Sequence, residues 1–212
     1  LSTIGITKLR DDKYGFFGRR DAAGREEFIL DMEGTVRHLY NCPCIAMWCI
    51  FNEGWGQFDS RKAYEKLLAL DCTRSADITS GWHDQGDGKI CSLHVYFRRF
   101  RMVRDRRAVV LSEFGGYNCH VAGHCFNDAN YGYRRFADCE KLTAAFRRLY
   151  QNEILPAKAQ GLCAAVYTQL SDVEDEQNGI FTYDRAVCKL PEDEIASINE
   201  ILTKGKSSAA EV

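Results

Sequence analysis

The stretch Trp48-Cys49-Ile50-Phe51-Asn52-Glu53-Gly54-Trp55-Gly56-Gln57 constrains this chain more than any other, because an unbroken apolar run ends in an Asn-Glu pair and then glycine. The design returns at Ala108-Val109-Val110-Leu111-Ser112-Glu113-Phe114-Gly115-Gly116. Apolar residues in succession, rather than in alternation, belong to strands covered on both faces, as in a parallel sheet wrapped by helices. Each such strand hands a carboxylate to the end of the sheet. The glycines that follow are expected to let the backbone turn sharply and to leave room for a ligand.

Periodicity organises the rest. Phe28, Met32, Val36 and Leu39 or Tyr40 recur at helical steps, predicting a helix from Arg25 to Tyr40 that stops at Asn41-Cys42-Pro43. A strand over Ile45 to Asn52 follows, and Asp59 is placed to cap a helix with Ala63, Tyr64, Leu67 and Leu68 on its apolar face. Strands are expected at Ala76 to Ser80, Ile90 to Phe97, the Glu113 run and Leu162 to Leu170. A long helix is expected from Asp138 to Ala159. A last helix, Pro191 to Thr203, opens with proline in its first position and Glu192, Asp193 and Glu194 in its first turn. Five strands with crossovers make an α/β chain of parallel architecture, short of the eight strands that close a barrel. The chain reads as one domain over 1–212, with a polar lead-in over 1–24 and a frayed tail over 205–212.

At 212 residues and 45% hydrophobic content there is enough chain for one sizeable core. A formal net charge of −2 gives no electrostatic reason for nucleic acid or an anionic membrane as partner. Arg98, Arg99, Arg101, Arg104, Arg106 and Arg107 form a local basic cluster, read as a solvated helix or loop face. Asp172, Glu174, Asp175 and Glu176 read likewise as a solvated acidic loop. No apolar run reaches the roughly 18 residues that span a bilayer. Ten scattered cysteines, several within apolar strands, suit a reducing compartment such as the cytoplasm. Cys119, His120, His124 and Cys125 invite a metal reading, but their spacing matches no common zinc motif.

Two glutamates at strand ends are the equipment of glycoside hydrolysis, in which one carboxyl group protonates the leaving oxygen and another attacks or activates water. In α/β barrels such groups sit at the C-terminal ends of strands. With these motifs in hand, the chain resembles the C-terminal half of the catalytic barrel of glycoside hydrolase family two, which includes β-galactosidases, β-glucuronidases and β-mannosidases. The resemblance rests on an ordered set: Phe17-Gly18-Arg19-Arg20-Asp21, Met47-Trp48 through Gln57, Thr79-Ser80-Gly81-Trp82, His94-Val95-Tyr96, Ser112 through Gly116, and Tyr167-Thr168-Gln169 with Asp172.

The resemblance implies a partial (β/α)8 TIM barrel holding strands four to eight, with the strand at Glu53 fourth and that at Glu113 seventh. It implies Glu53 as general acid/base, Asn52 beside it on a sugar 2-hydroxyl, and Glu113 as nucleophile of a retaining β-glycosidase. Trp55, Trp82 and Tyr167 are then candidates to stack on sugar faces, although the family often has tryptophan where this chain has Tyr167. Trp48, Phe51 and Trp55 are expected to surround Glu53 with the low dielectric that keeps an acid neutral. His94 and Tyr96 are expected to donate to an ionised Glu113. Neither cofactor nor metal is called for. The partner is a carbohydrate substrate, and the first three barrel strands and preceding β-sandwich domains of the family are expected beyond this sequence, with self-association where strand edges are bare. The competing readings are a catalytically incompetent carbohydrate-binding or scaffold barrel fragment, and a metal-dependent hydrolase built on the Cys-His loop.

Overall fold

The computed structural model describes residues 9–129 and 131–204. The start of the expected lead-in and the whole of the expected tail lie outside the described residues. The chain divides into two compact units, Leu1–His94 with Arg104–Ser112 and Val95–Val103 with Glu113–Val212.

The first unit runs α1 (Ala22–Leu39), β1 (Met47–Cys49), α2 (Ser60–Leu70) and β2 (Ser75–Asp77), then most of β3 (Ile90–Val95) and β4 (Ala108–Gly115). Helix α1 opens at Ala22 because the Asp21 carboxylate accepts from the amides of Ala23 and Gly24 at 3.1 and 3.0 Å. Asp59 occupies the cap position of α2, but its side chain makes no capping bond. Its backbone is left-handed (φ 39°), and its carboxylate goes to the Tyr14 hydroxyl at 2.7 Å and Lys62 at 3.2 Å. The capping acceptor comes from far along the chain: Asp11 Oδ2 takes the Ser60 amide at 3.0 Å.

Helix α2 is the crossover between β1 and β2, which pair in parallel with Met47 opposite Ser75 and Cys49 opposite Asp77. Val36, Leu67 and Ala76 are buried between these elements with Trp48 and Met32 against them. Phe51, Phe58 and Ala63 form a second cluster on which Phe28 stacks, 5.0 Å from the Phe51 ring. Each fully buried Leu, Val or Phe side chain contributes about 1.5–3 kcal/mol.

In the second unit, β5 (Tyr117–Cys119) pairs in parallel with β6 (Arg134–Phe136). The predicted long helix is α3 (Cys139–Leu149), a π-helical turn (Tyr150–Ile154) and α4 (Leu155–Ala159) in direct succession. Asp138 caps α3 through the Lys141 amide at 2.8 Å. Leu142, Ala145, Phe146 and Leu149 are its buried stripe. Strand β7 (Ala164–Thr168) follows, and the amide of Gly116, just past β4, donates to the Thr168 carbonyl at 3.0 Å. The final helix, α5 (Glu192–Thr203), has Pro191 as its cap rather than its first residue.

The five expected strands are present, four of them shorter than expected and the Glu113 strand running on to Gly115, and β5 and β6 are additional. The sheets run β1-β2, β3-β4-β7 and β5-β6, a mixed α/β chain with small parallel sheets. The described residues do not form a closed barrel. Between β2 and β3 side chains replace a ladder: the buried Asp77 carboxylate accepts from Ser92 Oγ at 2.7 Å and from the Ser80 amide at 3.0 Å. Nor are all strands covered on both faces. Met47 and Cys49 of β1 are exposed, as is Val166 of β7. No described helix is long and apolar enough to cross a membrane.

The acidic loop departs most from expectation. Asp172 is fully buried, with Lys189 Nζ at 2.7 Å from both its oxygens and the Gly179 amide at 2.8 Å from Oδ1. Lys189 Nζ also reaches the Gln177 carbonyl at 3.0 Å. Only Glu174 and Asp175 of that group are exposed in the way a solvated loop requires, along with neighbouring Val173.

Candidate active-site carboxylates

Glu53 belongs to the first unit. Beyond the short ladder of β1, backbone pairing continues from Ile50 to Asp77 at 3.0 Å, Phe51 to Ile78 at 3.1 Å and Glu53 to Ser80 at 2.9 Å. The carboxylate is therefore carried on paired backbone, which ends with Glu53 and Gly54 at φ 52° and 71°. Glu53 is half-buried, and its Oε1 lies 2.7 Å from His94 Nδ1. His94 is buried, and its Nε2 lies 3.0 Å from Ser80 Oγ. An imidazole whose Nδ1–H faces the carboxylate leaves Nε2 to accept from the serine hydroxyl, so the three groups satisfy one another.

The aromatic surroundings expected for Glu53 go elsewhere. Trp48 donates its indole N–H to Asp71 at 2.9 Å, Phe51 packs into the α1–α2 cluster, and Trp55 is 78% exposed. Asn52 is exposed and Trp82 half-buried. The space over Gly54 belongs to a side chain: a Cβ there would stand 2.3 Å from the ring of buried His83.

Glu113 belongs to the second unit, half-buried near the end of β4. The Tyr96 hydroxyl donates to Glu113 Oε2 and also lies 3.1 Å from Thr168 Oγ1. The Tyr96 ring stacks on Tyr133, with centroids 3.7 Å apart and planes within 5°. Burial, then the bond to Glu113, holds the Tyr96 phenol far above its ordinary range, so it stays a donor. This is the arrangement expected for Tyr96.

Tyr167 is turned into the core. Its ring meets Phe114 at 5.6 Å and Phe146 at 5.0 Å, both edge-on, and burial pushes its phenol well up. A Cβ on Gly115 would stand 2.3 Å from that ring, so this glycine too makes room for the protein's own aromatic. Ser80, Thr168 and Tyr133 complete the two constellations and were not singled out individually from the sequence. Ser80 and Thr168 sit inside motifs already quoted, while Tyr133 has no sequence signal because its contact depends on the path of the loop.

The Cys-His segment does not converge on one point. Cys119 Sγ lies 3.3 Å from Cys139 Sγ, His120 Nδ1 lies 2.9 Å from Gln177 Oε1, and His124 Nδ1 lies 2.8 Å from Asp184. Cys125 Sγ reaches His120 at 3.4 Å.

No protein-family model matches the chain, and no curated protein does. Eleven chains of solved structures match it. One is the β-D-glucuronidase of Dictyoglomus thermophilum, with 16% identity and a TM-score of 0.61, covering 89% of this chain and 37% of that one. The chain thus spans little more than a third of that enzyme's length. At this identity the likeness shows a shared fold.

Proposed function

We propose that the chain is catalytic-barrel sequence of a retaining β-glycosidase related to glycoside hydrolase family two, corresponding to strands four to eight of a (β/α)8 barrel. In this reading Glu53 is the general acid/base and Glu113 the nucleophile. Asn52 holds the sugar 2-hydroxyl, and Trp55 and Trp82 offer aromatic faces. Attack by Glu113 on the anomeric carbon forms a glycosyl ester while Glu53 gives its proton to the leaving oxygen. Glu53 then takes a proton from the water that releases the sugar.

The observation that carries the reading is that each strand-end glutamate is held by a hydrogen bond from a neighbouring strand's side chain, Glu53 with His94 and Glu113 with Tyr96. The likeness to a β-glucuronidase fold supports it. A tyrosine hydroxyl bonded to the nucleophile aims it, and an imidazole on the acid/base orients it through both half-reactions.

The test is trapping. Incubation with 2,4-dinitrophenyl 2-deoxy-2-fluoro-β-glycosides, the glucuronide first, should leave a sugar ester on the peptide containing Glu113. Labelling of another carboxylate would reassign the nucleophile. Dinitrophenol release with no labelled peptide would replace the retaining mechanism, and neither release nor label with any sugar would favour the non-catalytic scaffold.

A further inference from the structure

Three cavities in the second unit, of about 390, 240 and 350 Å³, share Arg99 and Glu153 in their walls. Each is bordered by residues of the 97–102 segment and of the π turn, with α3 or α4 adding to the wall. The segment is moored on the π turn at two points. Arg99 Nη2 donates to the Asn152 carbonyl at 2.8 Å, and the Phe100 amide donates to Glu153 Oε2 at 2.6 Å. π-helical turns gather at functional sites because they break the helix's closed hydrogen-bond pattern and free groups to meet another segment.

The walls of the largest void have one chemical character. Arg98, Arg99 and Arg134 face a single acid, Glu153, whose carboxylate is already engaged by the Phe100 amide. Arg148 adds a fourth cation in the neighbouring void. Among the described residues none of these four arginines has a carboxylate within ion-pair distance, in contrast with Arg107, which pairs with Asp84 and Asp105. The Arg134 guanidinium lies instead over the rings of Tyr117 and Phe136, at 5.6 and 5.3 Å. Cation–π contact holds a guanidinium in place without neutralising it. Phe97 is 83% exposed and meets Tyr133 edge-on at 5.3 Å, an aromatic left uncovered beside the cavity.

We propose that this cleft is a binding site for a small aromatic carboxylate. Its carboxylate is held by the forked guanidinium groups of Arg98, Arg99 and Arg134, and its flat body lies against Tyr117, Tyr133 and Phe97. The volume is that of a small-molecule site, and guanidinium matches carboxylate in a planar, two-point fashion. The basic cluster that reads from sequence as a solvated face supplies two of the three cations. The site is separate in chemistry from the sugar reaction: the Tyr96 ring contributes to its wall while the Tyr96 hydroxyl is spent on Glu113.

The experiment is calorimetric titration of the whole chain with 2-naphthoate, its neutral isostere 2-naphthamide, and 2-naphthyl phosphate. One equivalent of 2-naphthoate should bind saturably, the amide at least tenfold more weakly, and Arg134→Gln should weaken naphthoate at least tenfold. Arg98→Gln, on an exposed stretch whose loss spares the fold, should weaken it severalfold and decides the matter if the Arg134 variant does not fold. Equal binding of acid and amide, no saturation at millimolar naphthoate, or indifference to both substitutions would overturn the site. Tighter binding of the phosphate than of the carboxylate would overturn the ligand class.

Discussion

His94 Nδ1 stands 2.7 Å from Glu53 Oε1 while its Nε2 stands 3.0 Å from Ser80 Oγ, so the candidate acid/base is the first member of a three-residue chain rather than a lone carboxylate. The strand-end glutamate that sequence singles out is held by a histidine from β3, and Gly81 leaves the room for it: a Cβ there would stand 2.4 Å from the imidazole.

The proposed roles of the two glutamates separate kinetically. Glu113→Gln should lower turnover by about 10⁴-fold or more on every substrate, since without a nucleophile no ester forms. Glu53→Gln should spare the first step with dinitrophenyl glycosides, whose phenol leaves without a proton, and azide should restore turnover as a β-configured glycosyl azide. Steady-state and burst kinetics across leaving groups check this; equal loss in both variants on all leaving groups would dissolve the assignment.

Lys189→Met should destabilise the protein by about 3–5 kcal/mol, because it strands the Asp172 carboxylate in the interior. The double variant Lys189→Met with Asp172→Leu should recover part of that loss. Urea unfolding of the four members of the cycle measures it, and a single-variant cost below about 1 kcal/mol would show the pair to be hydrated.

Asp71 gives a pH dependence. Thr73, then the Trp48 indole and Arg74, hold its carboxyl well below the ordinary aspartate range. A carboxyl group depressed in the folded state stabilises the fold above its unfolded value of roughly 3.9, and that stabilisation fades as pH falls through the folded value. Asp71→Asn should therefore melt lower than the parent at pH 7, and the gap should narrow steadily below about pH 4. Melting temperatures from pH 7 to pH 2 would show it, and a constant gap would refute it.

Cysteine reactivity should follow burial. Burial pushes the Cys91 thiol up to about 11, and burial with the neighbouring Cys139 pushes Cys119 up to about 12. Thiolate is the reactive form, so iodoacetamide at pH 8 should modify exposed Cys44, Cys49, Cys72 and Cys163 first. Peptide mass spectrometry of timed samples reads the order, and early modification of Cys119 would contradict it.

The helices and main strands are legible in the sequence because each repeats its apolar residues over many positions, as α3 does at Leu142, Ala145, Phe146 and Leu149. What escapes is short or distant. Strands β5 (Tyr-Asn-Cys) and β6 (Arg-Arg-Phe) have three residues each and belong to no apolar run that would announce them. The α2 cap falls to Asp11, which no local rule connects to Ser60. Asp172 looks solvated beside its acidic neighbours until Lys189 is brought to it by the fold. The strand-end glutamates stand out by position, but the facing of Trp48, Phe51, Trp55 and Tyr167 depends on which layer lies beneath each strand residue, and composition is silent on that.

The π-helical turn at Tyr150–Ile154 carries a consequence for how this region tolerates length change. A π turn is an α-helix with one residue inserted, and one residue corresponds to about 100° of helical phase. Deleting a single residue there would let the rod heal into uninterrupted α-helix, so it should raise helicity. The same deletion would rotate α4 relative to α3, swing buried Ala157 toward water and pull the Asn152 carbonyl and the Glu153 carboxylate away from Arg99 and Phe100. The insertion is therefore a phase-setting device: a locally less regular helix is the condition for the 97–102 segment to have anywhere to attach.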